Sequence, residues 1–332
     1  MTVQPLRVML LGATGTIGCA TAQALSRQGH EVVCVLRPRP ERMAESAWQP
    51  IQSLLSGTSL RWVDPCDALA LERDVLAQDR FDAVVSCMAS RTGSPQDAWR
   101  VDHQAHLDVL NAAKRAGVKQ FVLLSAICVQ KPMLAFQQAK LAFEQQLMQS
   151  GMRYAIVRPT AFFKSLSGQL QRVKNGKPFL LFGDGQATAC KPISDEDLAD
   201  FIASCLTDPD KFNRILPIGG PGPAITPLQQ GEALFKLLGR PPKFKSVPVA
   251  LLDVVIAVLS LLGKLIPVLA DKAELARIGR YYATESMLIW NPDTLRYDAD
   301  ATPSHGTHTL IEAYAQWLER GATPARGDHA VF

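Results

Sequence analysis

Short, nearly unbroken apolar runs alternate with longer stretches in which apolar residues return every three or four positions, and this rhythm organises the first half of the chain. The runs fall at residues 7–11, 31–36, 59–63, 83–86, 120–124 and 154–157. Helical stretches separate most of them, near 16–28, 96–116 and 133–149. Apolar runs without polar alternation suit strands covered on both faces, and helices of this length are the crossovers that parallel neighbours require. The pattern predicts an α/β chain with a Rossmann-type, doubly wound parallel sheet, its ligands bound beyond the carboxyl ends of the strands.

After Pro159 the rhythm changes. Gly176-Lys177-Pro178 and Gly183-Asp184-Gly185 mark turns, and Ser194, followed by Asp195, Glu196 and Asp197, reads as the capped start of a helix. A further strand is expected at 215–218, and from about Thr226 onward the pattern is mostly helical. These changes divide the chain into a dinucleotide-binding unit, 1–161 with 190–220 returning to it, and a smaller, mostly helical C-terminal substrate lobe. The lobe takes 162–189 and 221–325, with a loose tail at 326–332. The most apolar segment, 247–270, is broken by Asp253, Lys264 and Pro267, so it is expected as a buried or half-buried helix rather than a membrane span. A peripheral contact with a membrane or an apolar ligand is the alternative for it.

Bulk properties narrow the chemistry. A net charge of +4, dispersed along 332 residues, argues against nucleic acid as a partner. Seven cysteines are scattered without a CxxC pair, which fits a reduced compartment and gives no local case for zinc or an iron–sulfur cluster. No metal site is expected, so electrons for a redox reaction would have to come from an organic cofactor. The first strand begins too near the amino terminus to leave room for a leader, and a cytoplasmic protein is expected.

The strongest local motif is LLGATGTIG, residues 10–18, between a strand and a helix. Gly12 allows a sharp turn, Gly15 lets backbone amides approach a pyrophosphate, and Gly18 lets the helix pack closely. Thr14, Thr16 and Ile17 complete a loop whose free amides favour phosphate charge. Its GxxGxxG spacing is typical of short-chain dehydrogenase/reductase-like proteins. At the end of the second strand an NAD site would place an acid; here the chain reads Val35-Leu36-Arg37-Pro38-Arg39. A guanidinium binds a ribose 2′-phosphate in fork geometry, so NADPH is the expected cofactor, held by Arg37 first and Arg39 second. Topology adds Asp64 for the adenine amine, Ala89 within the 86–90 loop, and Pro159 and Phe162 after the sixth strand.

Short-chain reductases usually carry Tyr-x-x-x-Lys on the helix after the fifth strand. Here that segment reads Phe136-Gln137-Gln138-Ala139-Lys140. The lysine is present and the phenol is gone. General acid help is worth roughly 10²–10⁴-fold, so carbonyl chemistry through this position is disfavoured, whereas a reaction passing through a delocalised carbanion needs the acid less. Lys140 is expected to hold the nicotinamide ribose, Phe136 to pack or to line the substrate pocket, and Ser125 to join the site or satisfy nearby backbone. His103 and His106 are expected on a surface helix.

Several longer segments carry a resemblance. LSAICVQKP (124–132), FQQAKLAFE (136–144), VRPTAFFKSLSGQ (157–169), GKPFLLFGDG (176–185), ACKPISDEDLADFI (189–202), LPIGGPGPAITPLQQGE (216–232) and GRYYATESML (279–288) resemble the divinyl chlorophyllide 8-vinyl reductases. These are atypical, NmrA-like short-chain dehydrogenase/reductases, and the likeness is to a bacterial type. It implies NADPH-driven reduction of an 8-vinyl to an 8-ethyl group on a magnesium chlorin or porphyrin in (bacterio)chlorophyll biosynthesis. Hydride would add to the vinyl group, and a proton would complete the ethyl. A flat macrocycle needs a wide apolar cleft with few polar anchors. Phe162, Phe163, Tyr281 and Tyr282 are candidate walls, Lys164 or Arg280 could meet the propionate, and Tyr281 or Tyr282 could deliver the proton. An NmrA-like NADPH sensor, or a cofactor-binding structural subunit without catalysis, is the alternative.

Overall fold

The computed structural model of the chain describes residues 4–38 and 45–321, so Arg39 and the expected tail at 326–332 lie outside the described residues. The first half runs β1 (Arg7–Leu11), α1 (Thr16–Arg27), β2 (Glu31–Leu36), α2 (Glu45–Leu54), β3 (Ser59–Trp62), α3 (Ala68–Leu71), β4 (Ala83–Ser86), α4 (Pro95–Ala98), α5 (His106–Arg115), β5 (Gln120–Leu124), α6 (Ala135–Gln149) and β6 (Arg153–Pro159). The second half follows with α7 (Leu170–Lys174), β7 (Phe179–Phe182), α8 (Asp195–Ser204), β8 (Arg214–Ile218), α9 (Pro227–Leu237), β9 (Phe244–Val247), α10 (Val249–Gly263) and α11 (Pro267–Thr284). A β10–β11 hairpin (Ile289–Asn291, Arg296–Asp298) and α12 (Leu310–Arg320) complete it.

Seven strands form one parallel sheet in the order β3-β2-β1-β4-β5-β6-β8. Its side chains alternate between two cores, as strand geometry requires. Val8 and Leu10 join Cys34, Val85 and Val157 under α1 and α8, while Met9 and Leu11 join Val84 and Ile156 under α5 and α6. Burial on both faces is why these strands read as unbroken apolar runs. Strand order reverses between β1 and β4, which opens a crevice at their carboxyl ends.

The expected strand at 215–218 is β8, paired parallel to β6. Ser194 caps α8 as predicted, accepting from the Asp197 amide at 3.0 Å. Four described strands were not foreseen, those of the β10–β11 hairpin and the pair β7 and β9; β7 and β9 pair parallel over a third core containing Phe163, Leu170, Phe235 and Tyr314. Their partners are more than 60 residues apart in the chain, so no local pattern announced them. The segment 247–270, expected as a buried or half-buried helix, is at most half-buried. It is α10 and the start of α11, and no residue of α10 is buried. No described helix is long and apolar enough to cross a membrane.

The long helix expected at 96–116 is interrupted. Between α4 and α5, Trp99–Ala105 is π-helical, a widening that often marks functional sites. Along it and the start of α5, Val101, Asp102, Ala105 and His106 are buried. His106 is thus not on a surface, as the sequence led us to expect, but 1% exposed, while His103 remains half-exposed against Trp99.

Candidate active site

The β1–α1 turn begins at Gly12, whose φ of +75° is a left-handed conformation that glycine adopts without strain. A Cβ there would stand 2.6 Å from the carbonyl carbon of Cys87, so the turn lies directly against the exit of β4. At Gly18 a Cβ would fall 2.0 Å from the Gly12 carbonyl oxygen. This last glycine therefore keeps α1 close to its own loop, a tighter constraint than the packing on the sheet expected of it. No side chain caps α1, and Thr14, Gly15 and Thr16 are exposed while Ile17 is buried. The result is a cradle of backbone amides at the positive end of a 12-residue helix, open to an anion.

Lys164, expected to meet a propionate, is instead found at this cradle, where its ammonium donates to the Thr16 hydroxyl at 2.7 Å. The segment after β6 turns back over the loop, so the lysine adds positive charge where phosphate charge would lie. Asp195 is nearby at the start of α8; burial, then Glu196, pushes its carboxyl up to about 6, and Lys164 opposes the rise. Its Oδ1 has no hydrogen-bond partner.

Arg37 is exposed at the end of β2 and faces the Asp64–Cys66 turn. Asp64 is partly committed to that turn, its Oδ1 accepting from the Cys66 amide at 3.0 Å. Ala89 is exposed beyond β4, and Pro159 is buried at the end of β6. Phe162 is half-buried and, like Cys87, packs against the core under α1 and α8.

On the other side of the crevice, Lys140 is 8% exposed and forms an ion pair with Asp102 at 2.9 Å. The same Asp102 oxygen accepts from the Ser90 amide at 3.2 Å, tying the lysine to the loop after β4. Its second oxygen is buried without a hydrogen bond. Behind the pair, His106 Nδ1 lies 2.8 Å from the Val101 carbonyl, an oxygen that can only accept. Nδ1 therefore carries the proton, and Nε2 accepts from the Ser86 hydroxyl at 2.9 Å. Burial, reinforced by Lys140, pushes the imidazole down to about 4, so it is neutral at physiological pH.

Phe136, one turn before Lys140, is half-buried in an apolar junction with Ile278, Tyr281 and Cys128. This junction joins the start of α6 to the end of α11. Gln137 is fully buried there and closes the helix start, accepting from the Met133 and Leu134 amides at 2.7 and 2.9 Å. Its amide nitrogen points toward Cys128 and Tyr281 without completing a hydrogen bond. Tyr282 is 37% exposed as a residue, yet its hydroxyl end is buried against the Cys128 thiol. That burial pushes the phenol well above its ordinary range. A hydroxyl is thus present on α11, against the thiol whose acidity Lys140 also influences, although position 136 on α6 has none.

Other expected site residues have structural duties. Ser125 donates to Glu144, which forms a buried ion pair with Arg158, so the serine faces a structural network. Phe163 is 5% exposed inside the third core rather than on a pocket wall. Tyr281 is 4% exposed and donates to the Cys128 and Lys131 carbonyls at 3.1 and 3.3 Å, so it holds the loop before α6. Arg280 is paired with Asp253 across the α10–α11 hairpin. Asp102 and Cys128 were missed. A signal for Asp102 was present: residues 98, 101, 102, 105, 106 and 109 form one apolar helix stripe interrupted by two polar residues.

Comparisons with known proteins agree with this geometry. An NAD(P)H-binding family matches residues 12–209, the stretch that holds the cradle, Arg37 and Lys140. The divinyl chlorophyllide a 8-vinyl-reductase of Oryza sativa subsp. indica is 49% identical over 98% of this chain and 82% of its own. The Arabidopsis thaliana protein of the same name is 46% identical over 95% of this chain and 78% of its own. Among solved structures, the leucoanthocyanidin reductase–NADPH complex of Vitis vinifera shares the fold, with TM-score 0.66 and 16% identity over 94% of this chain and 99% of that one. The chain belongs to the NAD(P)H-binding family and, within it, to the divinyl chlorophyllide a 8-vinyl-reductase family.

Proposed function

We propose that this chain reduces the 8-vinyl group of a divinyl chlorophyllide-type magnesium pigment to 8-ethyl, with NADPH as the electron donor. The observation that carries the reading is the Lys140–Phe136 pair: the cofactor-side lysine is kept and oriented by Asp102, while the carbonyl-protonating phenol is replaced by an apolar ring. The dinucleotide unit is taken as 1–161 with 190–220, and the pigment lobe as 162–189 with 221–325.

The residues present fit the cofactor, since the glycine cradle leaves backbone amides uncapped and Lys164 adds a cation beside them. Gly12, Thr14, Gly15, Thr16 and Ile17, with Lys164, would hold the pyrophosphate. Arg37, with Arg39, would hold the 2′-phosphate, and Asp64 the adenine. Ala89, Lys140, Pro159 and Phe162 would border the nicotinamide riboside. When bound, NADPH supplies a hydride. Asp102 fixes the Lys140 ammonium and keeps it from wandering, which is an orienting role. Phe136 and Phe162 exclude water from the crevice. Tyr282 holds its proton throughout the neutral range, because burial makes its phenol a weaker acid than usual, and it would give that proton to the delocalised carbanion. One hydride and one proton added across the vinyl double bond give the ethyl group.

A peripheral location at a photosynthetic membrane suits so apolar a substrate. The test is an absorbance assay with purified protein, NADPH and divinyl chlorophyllide, coupled to product chromatography. A blue-shifted Soret band, with an 8-ethyl product formed in step with NADPH oxidation, supports the reading. Tight NADPH binding without turnover of chlorophyllide, protochlorophyllide or esterified pigment would replace it with a cofactor-binding sensor or subunit.

A further inference from the structure

α10 and α11 pack against each other as a hairpin that separates its charges from its apolar surface. Its inner contacts are polar or tight. Arg280 pairs with Asp253, Arg277 bonds Ser260 at 2.7 Å and Glu274 at 2.9 Å, and a Cβ on Gly263 would stand 2.9 Å from the Ala270 amide. The outer face is apolar. Leu251, Val254, Val258 and Leu261 recur at helical spacing and are each at least 50% exposed. The stripe runs into the turn, where Leu265 is 85% exposed and Ile266 51%.

Three further features say what covers this surface. First, the tip holds large aliphatic side chains mostly in solvent at a turn, Leu265, Ile266 and Val268, an arrangement that a deformable medium accommodates and a protein partner must match with a cavity. Second, the exposed charges around it are mostly cationic. Lys243 and Lys245 precede α10, Lys264 stands in the turn and Lys272 follows it, against Asp271 and an Asp253 already paired to Arg280. Third, α11 runs continuously from the tip into the active-site junction. Its Val268 is exposed, and ten residues on, roughly 15 Å along the helix, Ile278 is buried beside Phe136.

We propose that the α10–α11 hairpin is a monotopic membrane anchor. It lays its apolar stripe and tip into the headgroup–acyl boundary of a bilayer containing anionic lipid, and its lysines meet the headgroups. α11 then carries the Phe136–Tyr282 junction to the membrane face of the protein. The orientation rests on the proposed pigment chemistry; the insertion does not.

The experiment uses the intact chain and flotation with vesicles of phosphatidylcholine alone or mixed with phosphatidylglycerol. Wild type is expected to float with the mixed vesicles and more weakly with phosphatidylcholine. Leu261→Glu with Leu265→Glu, both at exposed positions, should weaken flotation about tenfold or more. Lys264→Glu should cost about fivefold on mixed vesicles only. Both variants should keep wild-type NADPH affinity and wild-type turnover of detergent-dispersed pigment. Wild type remaining free of both vesicle types would overturn the anchor, as would undiminished flotation of the double variant. So would a wild-type dimer, off vesicles, that the double variant converts to monomer, since a second copy would then cover the stripe. Absent turnover of dispersed pigment by wild type would count against the reductase reading, while flotation would still decide the anchor.

Discussion

At the β1–α1 turn the crevice is made of backbone from one stretch, residues 10–18, and its fit depends on atoms that are missing, the Cβ groups of Gly12 and Gly18. At the α6–α11 junction the crevice is made of side chains from distant parts of the chain, with Tyr281 reaching back 153 residues to the Cys128 carbonyl. The first region presents amide dipoles and cations to a polar ligand. The second gathers a half-buried phenyl ring, a buried thiol and a deeply held phenol. The contrast teaches that charge recognition can be built locally on a helix end, whereas an apolar pocket has to be assembled from several elements. Damage to the first should be sharp and specific to the cofactor, and damage to the second should spread into stability.

The sharpest break is Gly12→Val. A side chain there combines an unfavourable φ with a collision against Cys87, so it should abolish NADPH binding and cost about 3 kcal/mol or more of stability. Nicotinamide fluorescence titration and urea unfolding measure the two losses. Lys140→Met follows. It should lower turnover by about 100-fold and, by leaving Asp102 buried without its cation, destabilise the fold by about 3 kcal/mol. Adding Asp102→Asn should restore much of the stability and none of the turnover. Parallel recovery of both would mean that Lys140 acts only as a structural ion.

His106 tests whether the stability of the packing behind the Lys140–Asp102 pair depends on a neutral side chain. Its folded pKa of about 4 lies below the ordinary value near 6.5, so the unfolded chain binds the proton more readily. Its contribution is full above about pH 6.5 and is lost as pH falls toward 4, a change of about 3 kcal/mol. Urea midpoints measured across this range should fall for wild type and less steeply for His106→Asn. Tyr282→Phe should reduce kcat about 10- to 100-fold and leave NADPH affinity unaltered; an unchanged kcat would hand the proton step to water. Arg37→Ala and Lys164→Met, finally, divide the cradle itself. The first should weaken NADPH about tenfold and NADH hardly at all, whereas the second should weaken both alike, because the pyrophosphate is common to them. A Lys164→Met effect confined to the pigment KM would return the lysine to the substrate.

What the sequence disclosed follows the same division. The sheet was legible because Val8–Leu11 and its counterparts are buried on both faces, and the cradle because a turn pressed against β4 admits only glycine at position 12. The lysine of the active site was visible from its spacing to Phe136. Its partner Asp102 left a weaker trace, a polar residue in an otherwise apolar helix stripe, and the stripe does not say which cation the acid meets. Lys164 and Arg280 looked alike as free cations. Only the return of the chain after β6 puts one at the helix α1 start, and only the α10–α11 hairpin puts the other beside Asp253. Phe163 and Tyr281 were expected on pocket walls because aromatic composition alone does not tell a wall from a core.

The phenyl ring at position 136 has a consequence for chemoselectivity. A chlorophyllide carries carbonyl groups as well as vinyl groups, and both accept hydride in principle. Reduction of a carbonyl builds negative charge on one oxygen, which must be protonated or hydrogen-bonded as it forms, a requirement worth roughly 10²–10⁴-fold. Charge arising from a vinyl group spreads into the macrocycle instead. On the proposed reading, an apolar ring at position 136 would leave the pigment's carbonyls without a donor there, and so would protect them without recognising them.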